Sequence, residues 1–407
     1  MKRSLSTTFV IFALSGSAYA ISAIHAGSKC RLVDPSAQPL QVQQQASIDV
    51  VFVLDTTGSM GGLIEGAKQK IWSIANAISQ AQQTPVIRFG LVGYRDRGDD
   101  YVTTITPLTE DLDTVYVDLM NYKAQGGGDT PESVNEALFT AVERFEWTKQ
   151  EDALKLIYLV GDAPPKMEYQ DDVKYQASCK LAKEQGIIIN TIQCGNLADT
   201  QWFWQEISQL ANGAYARIEQ SGGVVAITTP YDEQLARLDM EIQRTMIDYG
   251  DADTYAYQIA KRARSSGIES KASPEAAADR AVYNISGSGR RNMLGRQELV
   301  DDVFNNDFDL DEIEKSELPE ELQSLTIEEL KAEVAQQKDK RDELSKSIKD
   351  LAAKRAAYLR EHLPKAGRDG FSQKVLEALI EQGARVGIKF KAGSKPEADK
   401  PKELSKN

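Results

Sequence analysis

The chain has 407 residues, 41% of them hydrophobic, enough for a substantial core with elongated parts left over. Its formal net charge is −13, and removal of Lys2 and Arg3 would take that to −15, which argues against nucleic acid as a partner. Only two histidines are present, His25 and His362, and the three cysteines form no Cys-x-x-Cys, which sets aside zinc sites and histidine-based catalytic triads.

Residues 1–20 carry Lys2 and Arg3, the apolar run TTFVIFALSGS and then Ala18-Tyr19-Ala20, the three regions of a secretory signal peptide. The mature chain is expected to begin at Ile21, and the protein to be secreted or periplasmic. An uncleaved anchor is the rival, but Ser15, Gly16 and Ser17 make a poor membrane span, so no stable span is expected. Lys29 directly before Cys30 argues against lipidation there. Residues 21–46 follow as a linker. An oxidising compartment permits one disulfide among Cys30, Cys179 and Cys194, and the sequence does not choose the pair.

From Ile48 to Met60 the sequence IDVVFVLDTTGSM is an apolar, Val- and Ile-rich run that stops at an acid, then at hydroxyl residues and a glycine. This pattern predicts a buried strand that delivers Asp55 to a polar turn. Leu63, Ile64, Ala67, Ile71, Ile74 and Ala75 share one helical face in Gly61 to Ala77, so a covering helix follows. Asp55, Thr57 and Ser59 offer a carboxylate and two hydroxyls at alternate positions of a tight turn, hard oxygen donors suited to Mg²⁺ or Mn²⁺. The same residues also read as an N-cap cluster for the helix.

Pro85 to Leu108 reads as a hairpin with the tip Arg97-Gly98-Asp99-Asp100. If its first strand runs parallel to the Val51 strand, the tip lies on the face of the Asp55 turn, and that arrangement is the expected one. Arg97-Gly98-Asp99 spells a tripeptide recognised by integrins, but so short a motif is read as an ordinary charged tip. A helix around Asp113 to Tyr122 leads to the loop GGGDTPE, Gly126 to Glu132, which holds Thr130. The apolar run LIYLVGD, Leu156 to Asp162, ends on a second acid. Beyond it come a helix near Asp172 to Gln185, a strand Ile187 to Cys194, a helix near Thr200 to Ala211, a short strand Ala214 to Ile218 and a helix from Tyr231 toward Tyr249. Strand and helix alternate, which predicts an α/β domain over residues 47–248 with a doubly wound, mostly parallel sheet.

Asp55-x-Thr57-x-Ser59 followed by Thr130 and Asp162 resembles the von Willebrand factor A domain, whose metal-ion-dependent adhesion site begins Asp-x-Ser-x-Ser. Thr57 departs from that pattern and keeps the hydroxyl. The resemblance implies that Asp55, Thr57, Ser59, Thr130 and Asp162 hold a divalent ion, Mg²⁺ or Mn²⁺, with a position left open for a partner's acidic side chain. GDAPPKMEYQDDVKY and NTIQCGN look like a bacterial secreted subgroup of that family.

Residues 249–306 are rich in Ala, Ser, Gly and Arg and read as a helical extension and linker. Residues 307–324 read as a solvated acidic connector, since Glu312 and Leu318 break the EF-hand pattern that Asp307, Asp309 and Asp311 begin. Over 325–363 the positions Ile327, Leu330, Val334, Gln337, Arg341, Leu344, Ile348, Leu351, Arg355 and Tyr358 follow a heptad, predicting a coiled coil. The seam either pairs two chains or lies against the chain's own extension helix, with the homodimer slightly preferred. Residues 364–407 should hold an amphipathic helix, Phe371 to Val386, and a Lys-rich disordered tail.

Several function classes follow. An exported, metal-dependent protein-binding module is implied by the resemblance, and hydroxyl ligands leave much of a cation's charge available to an external anion. An accessory subunit of an enzyme or ATP-driven machine is opposed by the lack of any Gly-x4-Gly-Lys-Ser/Thr loop. No positioned base stands out for metal-assisted hydrolysis, so the chain is not expected to be an enzyme. A mainly structural coiled-coil protein would leave the metal site unused.

Overall fold

The protein was studied as a computed structural model, which describes residues 45–128, 130–220, 227–362 and 370–390. The expected signal peptide, Cys30, Asp129 and the Lys-rich end from 391 lie outside the described residues. No described helix is long and apolar enough to cross a membrane.

The sheet domain runs β1 (Ser47–Asp55), α1 (Gly61–Ser79), β2 (Val86–Tyr94), β3 (Thr103–Thr109), α2 (Leu112–Asn121), α3 (Val134–Glu143), β4 (Leu154–Gly161), α4 (Tyr175–Glu184), β5 (Ile187–Cys194), α5 (Ala198–Leu210), β6 (Tyr215–Ile218) and α6 (Asp232–Gln243). The six-stranded sheet has the order β3-β2-β1-β4-β5-β6. All neighbours are parallel except β3, which runs antiparallel to β2. Because both sheet faces are covered, β1 is apolar at every position from Val50 to Leu54 rather than alternating. Its side chains still divide by the period of two. Val50, Phe52 and Leu54 pack with α1 and α2, whereas Val51 and Val53 pack with α3 and its neighbours on the other face.

The chain continues through α7 (Ala252–Glu269), α8 (Pro274–Asn284), α9 (Arg290–Leu294), α10 (Leu299–Asn305), α11 (Ile327–His362) and α12 (Gly370–Arg385). These helices share cores with the sheet domain. Tyr283 of α8 meets Trp72 of α1 with ring centroids 5.9 Å apart. Val375 and Leu379 of α12 are fully buried beside the strands, and Tyr158 Oη of β4 donates to the Val375 carbonyl at 2.9 Å.

The heptad seam is filled from within the chain, the intramolecular one of the two arrangements expected for it. Leu330 and Val334 pack with Ile247, Leu299, Leu310 and Leu318, and Ile348 and Leu351 pack with Leu235, Leu238 and Ala281. The polar seam positions have their own partners. Arg341 forms a two-pronged pair with Glu298 at 2.8 and 3.0 Å, and Arg355 bonds Asp232 and Asp279 at 2.6 Å each. Those partners lie 43, 123 and 76 residues away, beyond the reach of any local pattern. The acidic segment 307–324 is likewise not a solvated connector throughout, because short 3-10 turns bury Leu310 and Leu318 against α11.

Candidate metal centre

Asp55 is the last residue of β1, and Asp162 directly follows the last residue of β4. Successive strands are added on one side of β1 and then on the other, so the crevice at the carboxyl ends of β1 and β4 is a topological switch point, where open α/β sheets bind ligands. The tip of the β2–β3 hairpin lies at this same end, because β2 is the strand that runs parallel to β1.

The Asp55 carboxylate is fully buried. Its Oδ1 accepts from the Thr57 amide at 2.9 Å and the Thr57 hydroxyl at 2.6 Å. Its Oδ2 has no hydrogen-bond partner. Gly161 makes room for it, since a Cβ there would stand 3.3 Å from Oδ2 and overlap the Tyr94 hydroxyl. Burial lifts the Asp55 pKa to about 7, against the Thr57 hydrogen bonds and with the added charge of Asp162.

Thr57, Ser59, Thr130 and Asp162 line one cleft of about 540 Å³ above Asp55, so the structure brings the expected five residues to one place. The N-cap reading does not hold, because neither Thr57 nor Met60 caps its helix with a side chain. Thr57 turns inward to Asp55 instead, with its hydroxyl 3.5 Å from that of Ser59. Asp162 Oδ2 accepts from Gln220 at 2.6 Å, and the Asp162 carbonyl accepts from Thr200 at 2.8 Å.

The glycine loop is held over the turn by main-chain bonds, with the Gly58 amide donating to the Gly126 carbonyl at 3.2 Å. Gly126 has φ 75°, a left-handed conformation that favours glycine, and a Cβ there would overlap the Asp99 carboxylate. Asp99 accepts from the Gly127 amide at 3.1 Å and so ties the hairpin tip to this loop. Arg97 is also engaged, bonding Asp171 at 2.9 Å and Asp172 at 2.5 Å and stacking over Tyr169.

Glu132, the last residue of the loop that holds Thr130, was not among the expected donors. It is 4% exposed, lines the cleft, and leaves Oε2 without a partner. Burial, with the charges of Asp55, Asp96, Asp99 and Asp162, pushes its pKa up to about 9.

Two carboxylates and three hydroxyls form the expected donor set, and the orphaned Asp55 Oδ2 fits a cation that supplies the missing positive charge. Among the described residues no group of three or more His, Cys, Asp and Glu is arranged to hold a metal ion. This does not conflict with a set in which hydroxyls outnumber acids. Cys194 also lines the cleft, and among the described residues both Cys194 and Cys179 are free, buried thiols.

The sheet domain is von Willebrand factor A-like, and residues 49–230 match the family model described as von Willebrand factor A domain. A putative ariadne-like RING finger protein of Acanthamoeba polyphaga mimivirus is 24% identical over 205 residues, 46% of this chain and 20% of that protein. The von Willebrand factor A domain-containing protein 7 of Rattus norvegicus is 37% identical over 117 residues, 28% of this chain and 12% of that protein. The match therefore spans a fifth or less of these relatives. Among solved structures, the SpRpn10 VWA domain is 14% identical with TM-score 0.33, covering 44% of this chain and 89% of its own. Proximal thread matrix protein 1 from the mussel byssus, with a zinc-occupied MIDAS motif, is 16% identical with TM-score 0.33, covering 42% of each chain.

Proposed function

We propose that this chain is a cation-dependent protein-binding module, not an enzyme, in which Mg²⁺ or Mn²⁺ is held by Asp55, Thr57, Ser59, Thr130 and Asp162. The observation that carries this reading is the buried, unpartnered Oδ2 of Asp55 beneath an open cleft lined by hydroxyls. When bound, the ion supplies an electrophile at the bottom of that cleft. Asp55 and Thr57 set the turn, Asp162 faces it from the adjacent strand, and Thr130 closes it from the glycine loop. An acidic side chain of a partner protein is the ligand that completes such a site. The signal-like residues 1–20 support export to a secreted or periplasmic location.

The test is capture of partners from the exported fraction by the wild type in Mg²⁺, by the wild type in chelator, and by Thr130→Ala. A partner retained only in the first arm supports the reading, because Thr130→Ala changes a surface loop ligand and leaves the core untouched. A partner retained equally in all three moves the interaction surface away from the cation.

A further inference from the structure

We propose that the outward face of α7 is a self-association surface, on which two copies of this chain pack their α7 helices antiparallel about a two-fold axis. The inference does not depend on the cation reading above.

Helix α7 is turned inside out relative to an ordinary surface helix, which buries its apolar stripe and shows charge to solvent. Its buried side chains include Gln258, Lys261 and Ser265, each held by polar partners. Gln258 donates to the Asp248 carboxylate and the Leu294 carbonyl at 2.9 Å each, Lys261 to Asp111 at 2.9 Å, and Ser265 to Gln243 at 2.6 Å. The outward stripe is Tyr255, Ala256, Ile259, Ala260 and Ala263, with Ile259 56% and Tyr255 37% exposed. No charged residue interrupts it. Helix α11 has the opposite design, with Glu328, Lys331, Asp339, Asp342 and Lys346 on its open side.

Gly267, near the end of α7, is a second sign that another backbone approaches this face. A glycine inside a helix destabilises it, and here nothing lies within 4 Å of where a Cβ would stand. The chain's own packing therefore does not require it.

The occupant follows from the symmetry of the stripe. A two-fold between residues 259 and 260 sets Ile259 of each copy against Ala260 of the other, Ala256 against Ala263, and Ala252 against Gly267. A large side chain then meets a small one, and the alanines permit helix axes about 8 Å apart. Charge matches as well. Asp251 and Asp253 open the helix, while Arg262 and Arg264, both partly exposed, lie in its second half, so antiparallel packing carries the acids of each copy toward the bases of the other. The 18 residues of α7 offer a strip about 27 Å long and about 10 Å wide. That is less than the roughly 800 Å² per partner of a stable complex, which makes this a weak, concentration-dependent dimer.

The test is sedimentation velocity of the full chain over a concentration series. The wild type is expected to shift from monomer toward dimer as concentration rises, and Ile259→Glu and Ala260→Glu to weaken that association at least about 10-fold by placing charge at the centre of the contact. Both positions are exposed, so the fold is expected to survive, which circular dichroism checks. Cross-linking reads the geometry. The two-fold brings the two copies of position 260 within the about 4–7 Å between Cα atoms that a disulfide spans, and keeps those of position 252 apart. Ala260→Cys should therefore cross-link on oxidation beyond any cross-linking of the wild type, and Ala252→Cys should not. A wild type that stays monomeric at every concentration overturns the proposal and leaves the face to a different protein. Wild-type association in both glutamate variants, or equal cross-linking at 252 and 260, places the contact elsewhere and overturns it too.

Discussion

Asp55 makes a testable statement about a single carboxylate. Its Oδ1 is satisfied by Thr57 and its Oδ2 by nothing, in a site with no exposure. Asp55→Asn preserves the acceptor that Thr57 needs and removes the buried charge. In chelator-stripped protein this variant is expected to melt at or above the wild-type temperature, and to lose the gain that Mg²⁺ gives the wild type. A lower midpoint in the absence of metal would mean that the carboxylate has a partner in the folded protein. At this scale the nearness of the five candidate donors was legible because Asp-x-Thr-x-Ser and two strand- or loop-end residues lie in recognisable contexts. Glu132 was not, since its inward placement depends on pairing with Pro164 across the sheet end.

At the scale of elements, β1, β4 and β5 were legible because strands covered on both faces read as runs dominated by apolar residues. The hairpin tip fell on the expected face for the same reason, since β2 is the buried strand of the pair and joins β1 in parallel. Helix α11 was visible as a helix, but its partner was not. A heptad records which side of a helix is buried and says nothing about what buries it. Gln337, Arg341 and Arg355 are polar positions in the seam, and the two arginines find buried acids far away in sequence. Arg341→Met is therefore expected to cost about 3–5 kcal/mol, because it strands the buried Glu298. Ile348→Ala, at a fully buried seam position, should cost about 2–5 kcal/mol. Chemical denaturation of the full chain reads both, and a loss under 1 kcal/mol for either, against the usual effect of about that size for an average substitution, would mean that α11 is not docked as described.

For the whole molecule, a buried ionic cluster links α2 of the sheet domain to the helices that follow it. Arg280 of α8 bonds Asp113 at 2.7 and 2.8 Å and also pairs with Asp239 of α6, while Lys261 of α7 reaches Asp111 at 2.9 Å. Burial opposes ionisation of Asp113, but Arg280 and Lys261 outweigh it and hold its pKa down to about 2. A depressed carboxylate stabilises the fold fully above its ordinary value of 3.8, and that contribution is lost as the pH falls through about 2. Burial raises Asp239 of the same cluster, which offsets part of this dependence. Arg280→Met is expected to cost about 3–5 kcal/mol near neutrality, with the gap from wild type narrowing as the pH falls through that window. Urea midpoints at a series of pH values check it, and a gap that stays constant would place the cost in packing instead of charge. The cluster also explains why a boundary at residue 248 does not mark an independent unit. Tyr283, Ile268 and Val375 complete a core that begins with Ile48 and Trp72.

Calorimetric titration of Mg²⁺ into the chelator-stripped full chain tests the central claim most directly. The account predicts one ion per chain for the wild type and no measurable binding for Asp55→Ala or Asp162→Ala, with each variant's fold retained by circular dichroism. Absence of binding by the wild type, or equal binding by all three proteins, would contradict it.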